Sequence, residues 1–284
     1  MTGIRYPILM GAFGGWGKSE FASKFSNLGG LGVIAAMNFP EFENFREDLR
    51  KMKELTKSPF AVNLSLPHGG FNQKKKTRTK ADYLKYVEIA LDEGVKIFTT
   101  SGYKASFVEQ KIHDGGALWF HKCVLIKHAL SAEKMGADAI TIVGLEGTGF
   151  KHPYTNTTLV NITMARKLLK IPIIAAGGIG DARGFLAALF AGADAVCLGT
   201  ALMIAEECPA PEKAKKKWTN INIFSEDFYE SIFHYNIKHF MAPSMAIGHQ
   251  RKIITMKEII GNIISGAEKI LQSVGFNSNS FNSI

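Results

Sequence analysis

Two glycine-rich passages carry the clearest chemical signal in this 284-residue sequence: Ala176-Gly177-Gly178-Ile179-Gly180 and Leu198-Gly199-Thr200. Each follows a short apolar run that reads as a strand. Backbone N–H groups opened by glycine, with a helix N-terminus behind them, cradle a phosphate. The plainer reading is two tight turns, but the two loops together favour a phosphate-bearing cofactor or substrate. A third passage, Ala139 to Phe150 (AITIVGLEGTGF), is a buried strand that stops at a carboxylate, Glu146, and turns through Gly147 and Gly149. Lys122 and Asn63 each stand near the end of an apolar run. Alone, each reads as an ordinary strand-end residue; at the ends of inner strands, both could face a ligand.

Eight apolar runs position these residues, beginning at Pro7, Val33, Phe60, Val95, Leu118, Ala139, Ile171 and Ala195. Helical spacing follows the early ones, in Lys18–Leu28, Glu41–Leu55, Ala81–Glu93, Phe107–Ile112 and His128–Met135. The runs are spaced as parallel strands with crossover helices require, which predicts an α/β fold, a closed (β/α)8 TIM barrel. An open doubly wound sheet is the alternative, but GAFGGWG at 11–17 lacks the G-x-G-x-x-G spacing expected there. An internal echo, GADAITIVG and GADAVCLGT, agrees with a repeated unit. The beat breaks after Met203. The expected domains are a barrel over 1–208 and 253–275, a small C-terminal helical cap over 209–252 with Phe224, Phe228, Tyr229, Phe233, Tyr235 and Phe240 packing it, and a frayed tail over 276–284.

No run is long and apolar enough for a membrane span, and the N-terminus has no leader pattern, so the expected location is cytoplasmic. The three cysteines suggest neither a disulfide framework nor a zinc site; no metal is expected, and Cys123 and Cys197 read as small core residues. The net charge of +9 is concentrated in Lys74–Lys80 and Lys213–Lys217, read as solvated loops or, more sharply, as attraction for an anionic partner such as coenzyme A (CoA) or an acyl-carrier protein. No nucleic-acid-binding motif accompanies the charge.

IPIIAAGGIGDARGFLAALFAGADAVCLGTAL resembles the flavin mononucleotide (FMN) phosphate-binding passage of the nitronate monooxygenase (2-nitropropane dioxygenase-like) family, which also includes flavin-dependent enoyl-thioester and quinone reductases. The likeness runs from GIRYPILMGAFGGW through PFAVNLSL to HKCVLIKHALSAEKMGADAITIVGLEG. It implies that Gly178, Gly199 and Thr200 hold the FMN phosphate, that Gly177 also borders the cofactor, and that Gly11, Ala12 and Phe13 lie along the ring. Asn63 would face the ring's polar edge, Lys122 would favour the anionic reduced flavin, and Glu146 and Gly147 would border the cofactor. His121 alternates with Lys122 and should point away from the barrel mouth.

One departure stands out: Phe150 occupies the place of the family's E-x-x-G-H histidine, and a phenyl ring neither takes a proton nor pairs with a nitronate. His152 could be a displaced substitute; a surface histidine is the blander reading. Three activities stay open: oxidation of an alkyl nitronate with O2, NAD(P)H-dependent reduction of an enoyl thioester or quinone, and flavin binding without turnover. A homodimer is one state of assembly compatible with the sequence.

Overall fold

In the computed structural model, the described residues are 1–67, 78–102, 105–149, 152, 154–233 and 243–276. Eight parallel strands form one sheet: β1 Ile8–Met10, β2 Gly32–Ala35, β3 Phe60–Ser65, β4 Ile97–Ser101, β5 Leu118–Cys123, β6 Ala139–Val143, β7 Ile173–Ala176 and β8 Ala195–Leu198. Sequential strands pair from β2 to β8, and β8 pairs with β1. Two backbone hydrogen bonds shut the ring between β1 and β2, from Met10 N–H to Leu31 O at 2.9 Å and from Leu31 N–H to Ile8 O at 3.0 Å. This is the expected TIM barrel.

The crossover helices are α1 Ser19–Asn27, α2 Phe42–Leu55, α3 Lys80–Asp92, α4 Ser106–Asp114, α5 Ile126–Lys134, α6 Thr158–Leu168 and α7 Ala182–Phe190. Their apolar faces pack on the strands; in one layer Tyr86 meets Phe42 and Phe45 edge-on at 4.8 and 5.3 Å. α3 starts with a capping box, Thr79 with Asp82, which satisfies N–H groups the first turn leaves open. The GADA echo also has a physical cause. Asp138 Oδ2 accepts from Trp119 N at 2.7 Å and Asp194 Oδ2 from Ile173 N at 2.8 Å, so each carboxylate fastens its turn to the start of the strand before it.

Strand register sorts side chains by face. Ala35, Asn63, Thr99, Phe120 and Ala139 form one inner row, and Ser65, Ser101, Lys122, Thr141 and Ile174 the next. The row through Leu64, Thr100, His121 and Ile140 faces the helices.

After β8 come α8 Thr200–Met203, α9 Glu212–Thr219, α10 Glu226–Phe233, a short 3-10 turn Met245–His249 and α11 Met256–Ser273. The lysine run 213–217 is therefore helical rather than a loop, because Pro209 and Pro211 precede the helix and lysine is a good helix former. The run Lys74–Lys80 falls mostly outside the described residues. Ile204, Phe228, Ile232 and Ile247 make a small apolar cluster of their own. Phe224, expected to help pack this region, is instead exposed, and Tyr229 is half-exposed. Tyr235 and Phe240 lie outside the described residues, as does the expected tail from 277; Phe276 contacts the Phe190 ring at 6.5 Å. α11 returns to the wall beside α7, where a Cβ on Gly266 would stand 2.8 Å from that of Ala182. Among the described residues no helix is long and apolar enough to cross a membrane.

Candidate functional site

A cavity of about 690 Å³ opens at the C-terminal ends of the strands, where barrels of this kind carry their chemistry. Its lining includes Gly11, Ala12, Phe13, Asn63, Lys122, Gly147, Gly177, Gly178, Gly199 and Thr200. Of the expected site residues, Glu146 and His152 do not line it.

The β7–β8 side is built from backbone. Gly177 and Gly178 have φ of +106° and +73°, which L side chains rarely adopt. A Cβ on Gly177 would meet Thr158 Oγ1 at 2.9 Å and Gly147 N at 3.0 Å, so the β6 and β7 loops approach through it. Around Gly199 the added Cβ would meet nothing within 4 Å, leaving its backbone open to the cavity. Thr200 Oγ1 accepts from Ser244 N at 2.8 Å, which ties the segment before the 3-10 turn over this end. Ser244 and Ala246 complete the roof.

The β3–β6 side is built from side chains. Asn63 Nδ2 donates to Thr99 Oγ1 at 2.9 Å and Oδ1 accepts from Ser65 Oγ at 2.9 Å. Its amide is thus held within the wall, and a ligand would have to share those groups. Lys122 reaches the cavity from the inner row, about 4 Å from where a Cβ on Gly149 would stand. Among the described residues its ammonium makes no hydrogen bond or ion pair. Burial pushes its pKa down, opposed by the neighbouring Cys197 thiol. Burial drives Cys197 the other way, up to about 11, despite the lysine. Cys197 is accordingly a neutral thiol facing the cavity rather than a core residue.

No Asp or Glu lines the cavity among the described residues. An ammonium buried without a counter-charge among the described residues is costly, which favours an anionic ligand beside it. A ligand with a phosphate at one end and a ring able to carry negative charge at the other fits both sides.

The structure relocates two expected contacts. Glu146 Oε2 accepts from Thr158 N at 2.8 Å and Thr158 Oγ1 at 2.9 Å, so its carboxylate caps α6 and faces a separate crevice of about 430 Å³ between α6 and α7. Charge at a helix N-terminus accounts for it without a ligand. His152 Nδ1 accepts from Tyr154 N at 3.1 Å within its own turn. That contact uses the ring to hold the turn; His152 is not among the residues that line the cavity, but it lies near enough to His128, which does line it, to help lower that residue's pKa. Phe150 lies outside the described residues.

His121 faces the helix layer, as the alternation predicts. Yet it also borders the cavity, together with Ser106 of α4 and His128 and Ser131 of α5. Burial holds its imidazole neutral, with the pKa lowered to about 4. The sequence signal for this was present only as a buried histidine beside Lys122, and period-two alternation argued against it.

The family described as nitronate monooxygenase matches residues 1–230. Among curated relatives, a (3aS,4S,5R,7aS)-5-hydroxy-7a-methyl-1-oxo-octahydro-1H-indene-4-carboxyl-CoA dehydrogenase of Mycobacterium tuberculosis is 28% identical over 77% of this chain and 58% of its own length. A probable nitronate monooxygenase of Staphylococcus saprophyticus is 25% identical over 76% of the chain and 70% of its own length. The chain thus spans well under two thirds of the dehydrogenase it matches. In fold it is similar to FabK from Thermotoga maritima, with a TM-score of 0.80, 22% identity and 96% of each chain covered. It is similar also to nitroalkane oxidase from Streptomyces ansochromogenes, with a TM-score of 0.75, 19% identity and coverage of 95% and 98%.

Proposed function

The chain belongs to the nitronate monooxygenase family, and we propose that it is an FMN-dependent oxidoreductase that oxidises alkyl nitronates with O2. One observation carries the reading: the glycine cradle at Gly177–Gly178 and Gly199–Thr200 shares one cavity with the ammonium of Lys122, and among the described residues no carboxylate lines that cavity and no side chain pairs with the ammonium. The cradle suits a phosphate and the ammonium suits an anionic ring or substrate. When bound, FMN supplies the electron-accepting ring that this chain's side chains lack.

The residues of the chain supply the rest. Gly11, Ala12 and Phe13 form an apolar edge against which a planar ring can lie. Lys122 lowers the energy of negative charge beside it. Of the described lining residues that could act as a general base, His121 is held neutral with a pKa of about 4, Cys197 is a neutral thiol, and burial with the neighbouring Lys127 and His152 lowers the pKa of His128. A substrate that arrives already deprotonated, as a nitronate does, needs none.

A second reading is NAD(P)H-dependent reduction of an enoyl thioester or quinone. It is favoured by the Mycobacterium tuberculosis relative, whose name specifies a CoA thioester. Hydride transfer asks for stacking and orientation more than for a base. Exposed Lys213, Lys216 and Lys217 on α9 would suit a CoA or acyl-carrier protein partner. Cytoplasmic location, a homodimer and a cap over 209–252 belong to the same proposal.

The test is anaerobic mixing of the purified chain with NADH, NADPH or a nitronate while flavin absorbance is followed. Bleaching by nitronate alone supports the first reading, and bleaching by a nicotinamide selects the second. A flavin that responds to no reductant points to binding without turnover, and a colourless protein that takes up no FMN sinks all three.

A further inference from the structure

The cavity does not end at the inner wall of the barrel. Lys122 enters it from the inner row of β5, while His121, next in sequence and on the opposite face, borders it from the helix side. Ser106 at the start of α4, His128 and Ser131 on α5, and Met135 just beyond that helix border it as well. His128, Ser131 and Met135 stand three and then four residues apart, so they share one helix face. The cavity therefore passes over the end of β5 and continues as a branch between that strand and helices α4 and α5.

The branch contains a hydrogen-bond donor whose direction can be derived. Trp119 Nε1 can only donate, and it does so to Thr100 Oγ1 at 2.8 Å. Thr100 then has one proton to place, with His121 Nδ1 at 2.7 Å and Phe120 O at 3.5 Å as its choices. The shorter contact is much the stronger, so Nδ1 accepts and the proton of the neutral ring sits on Nε2. His121 is 6% exposed, and no described residue accepts from Nε2. Since no fully buried side-chain nitrogen or oxygen among the described residues lacks a partner, Nε2 must reach open space, and the cavity is the space it borders. A buried donor left open in this way favours an acceptor arriving with a ligand.

We propose that this branch is a subsite for the distal end of an elongated substrate, where the Nε2–H of His121 donates a hydrogen bond to an uncharged carbonyl oxygen remote from the reacting atom. The inference rests on the flavin reading only for which end of the substrate reacts. Ser106 and Ser131, both exposed, line the outer part of the same branch, and no carboxylate is among its described lining residues. Met135 and Val124 provide apolar contact for the chain that carries it. Selection would fall on substrates longer than a simple nitroalkane.

The experiment is calorimetric titration of the full chain, with and without FMN, using a seven-carbon methyl ketone and the alkene in which a methylene group replaces its carbonyl oxygen. The wild type should bind the ketone about fivefold tighter, the value of one neutral hydrogen bond. His121→Asn keeps an acceptor for Thr100 but no donor at the Nε2 position and should erase the preference; His121→Gln, whose amide reaches that position, should restore it. Equal binding of the two probes by the wild type, or a preference that survives in a folded His121→Asn protein, overturns the proposal. Discrimination by a chain that takes up no FMN would keep the subsite and reject the flavin reading, so the two fail separately.

Discussion

The two ends of the cavity are made in different ways. At β7–β8 much of the wall is glycine backbone: Gly177, Gly178 and Gly199 line the cavity without side chains of their own. At β3–β6 the walls are side chains, with Asn63 locked by Thr99 and Ser65, Lys122 unpaired among the described residues, and His121 hung from Thr100. A backbone cradle tolerates no substitution at its strained positions but has no charge to tune. A wall of side chains can be retuned by one change, at the cost of burying polar groups that must find partners.

The largest expected effect lies at the side-chain end. His121 titrates ordinarily near 6.5 and in the fold near 4. The unfolded chain therefore binds the proton first, and stability is lost as pH falls from 6.5 through 4. The loss should approach about 3 kcal/mol, read as the difference in urea unfolding between wild type and His121→Gln across that window. Equal acid sensitivity in both would mean that the ring is not buried neutral.

Next comes the backbone end. Gly177→Ala forces a left-handed conformation on a residue with a Cβ and presses it on Thr158 Oγ1, so it should cost about 2 kcal/mol in thermal or urea unfolding and weaken FMN uptake with it. Gly199→Ala, with open space around its Cβ, is the control for the fold: stability should hold while FMN affinity falls, because the methyl group would occupy the ligand's place. If both variants keep wild-type affinity, the cradle does not hold the phosphate.

A smaller change of opposite sign is expected at Lys122. Its ammonium is disfavoured by burial, so Lys122→Met should raise the stability of the ligand-free chain by about 1 kcal/mol and lower its affinity for FMN. Stability and binding moving together would break the assignment of this residue as the counter-charge. Smallest of all, Glu146→Gln should cost about 1 kcal/mol or less through the weakened α6 cap, with FMN affinity unchanged. A large loss of affinity there would return Glu146 to the cofactor site.

The same contrast explains what could be read from the sequence. Backbone sites restrict residue type, so the loops after β7 and β8 were recognisable from Gly177, Gly178 and Gly199 alone. The eight apolar runs were equally plain, since parallel strands are buried on both faces. Side-chain sites depend on partners far along the chain. Glu146 looked like a ligand-facing carboxylate because nothing near it in sequence announces Thr158 as its partner. His152 looked like a displaced base because its bond to Tyr154 N is a matter of turn geometry. Alternation placed His121 on the outer face correctly, but could not show that the cavity reaches both faces of β5. The lysines at 213–217 misled in another way, since their charge suggested solvent while their helix propensity decided the conformation.

The ring closure adds a kinetic expectation. Between β1 and β2 the barrel is joined by the bonds of Met10 and Leu31, whereas β3, β4 and β5 share registers of four or five residues. A cylinder with one short seam has a preferred line along which to unzip, and local opening follows the line with the fewest bonds to break. Amide deuterium uptake at Met10 and Leu31 should therefore outpace that at Phe98 and Phe120. Gly11, next to the seam, lines the cavity, so a bound ligand would act as a clasp and slow exchange there first.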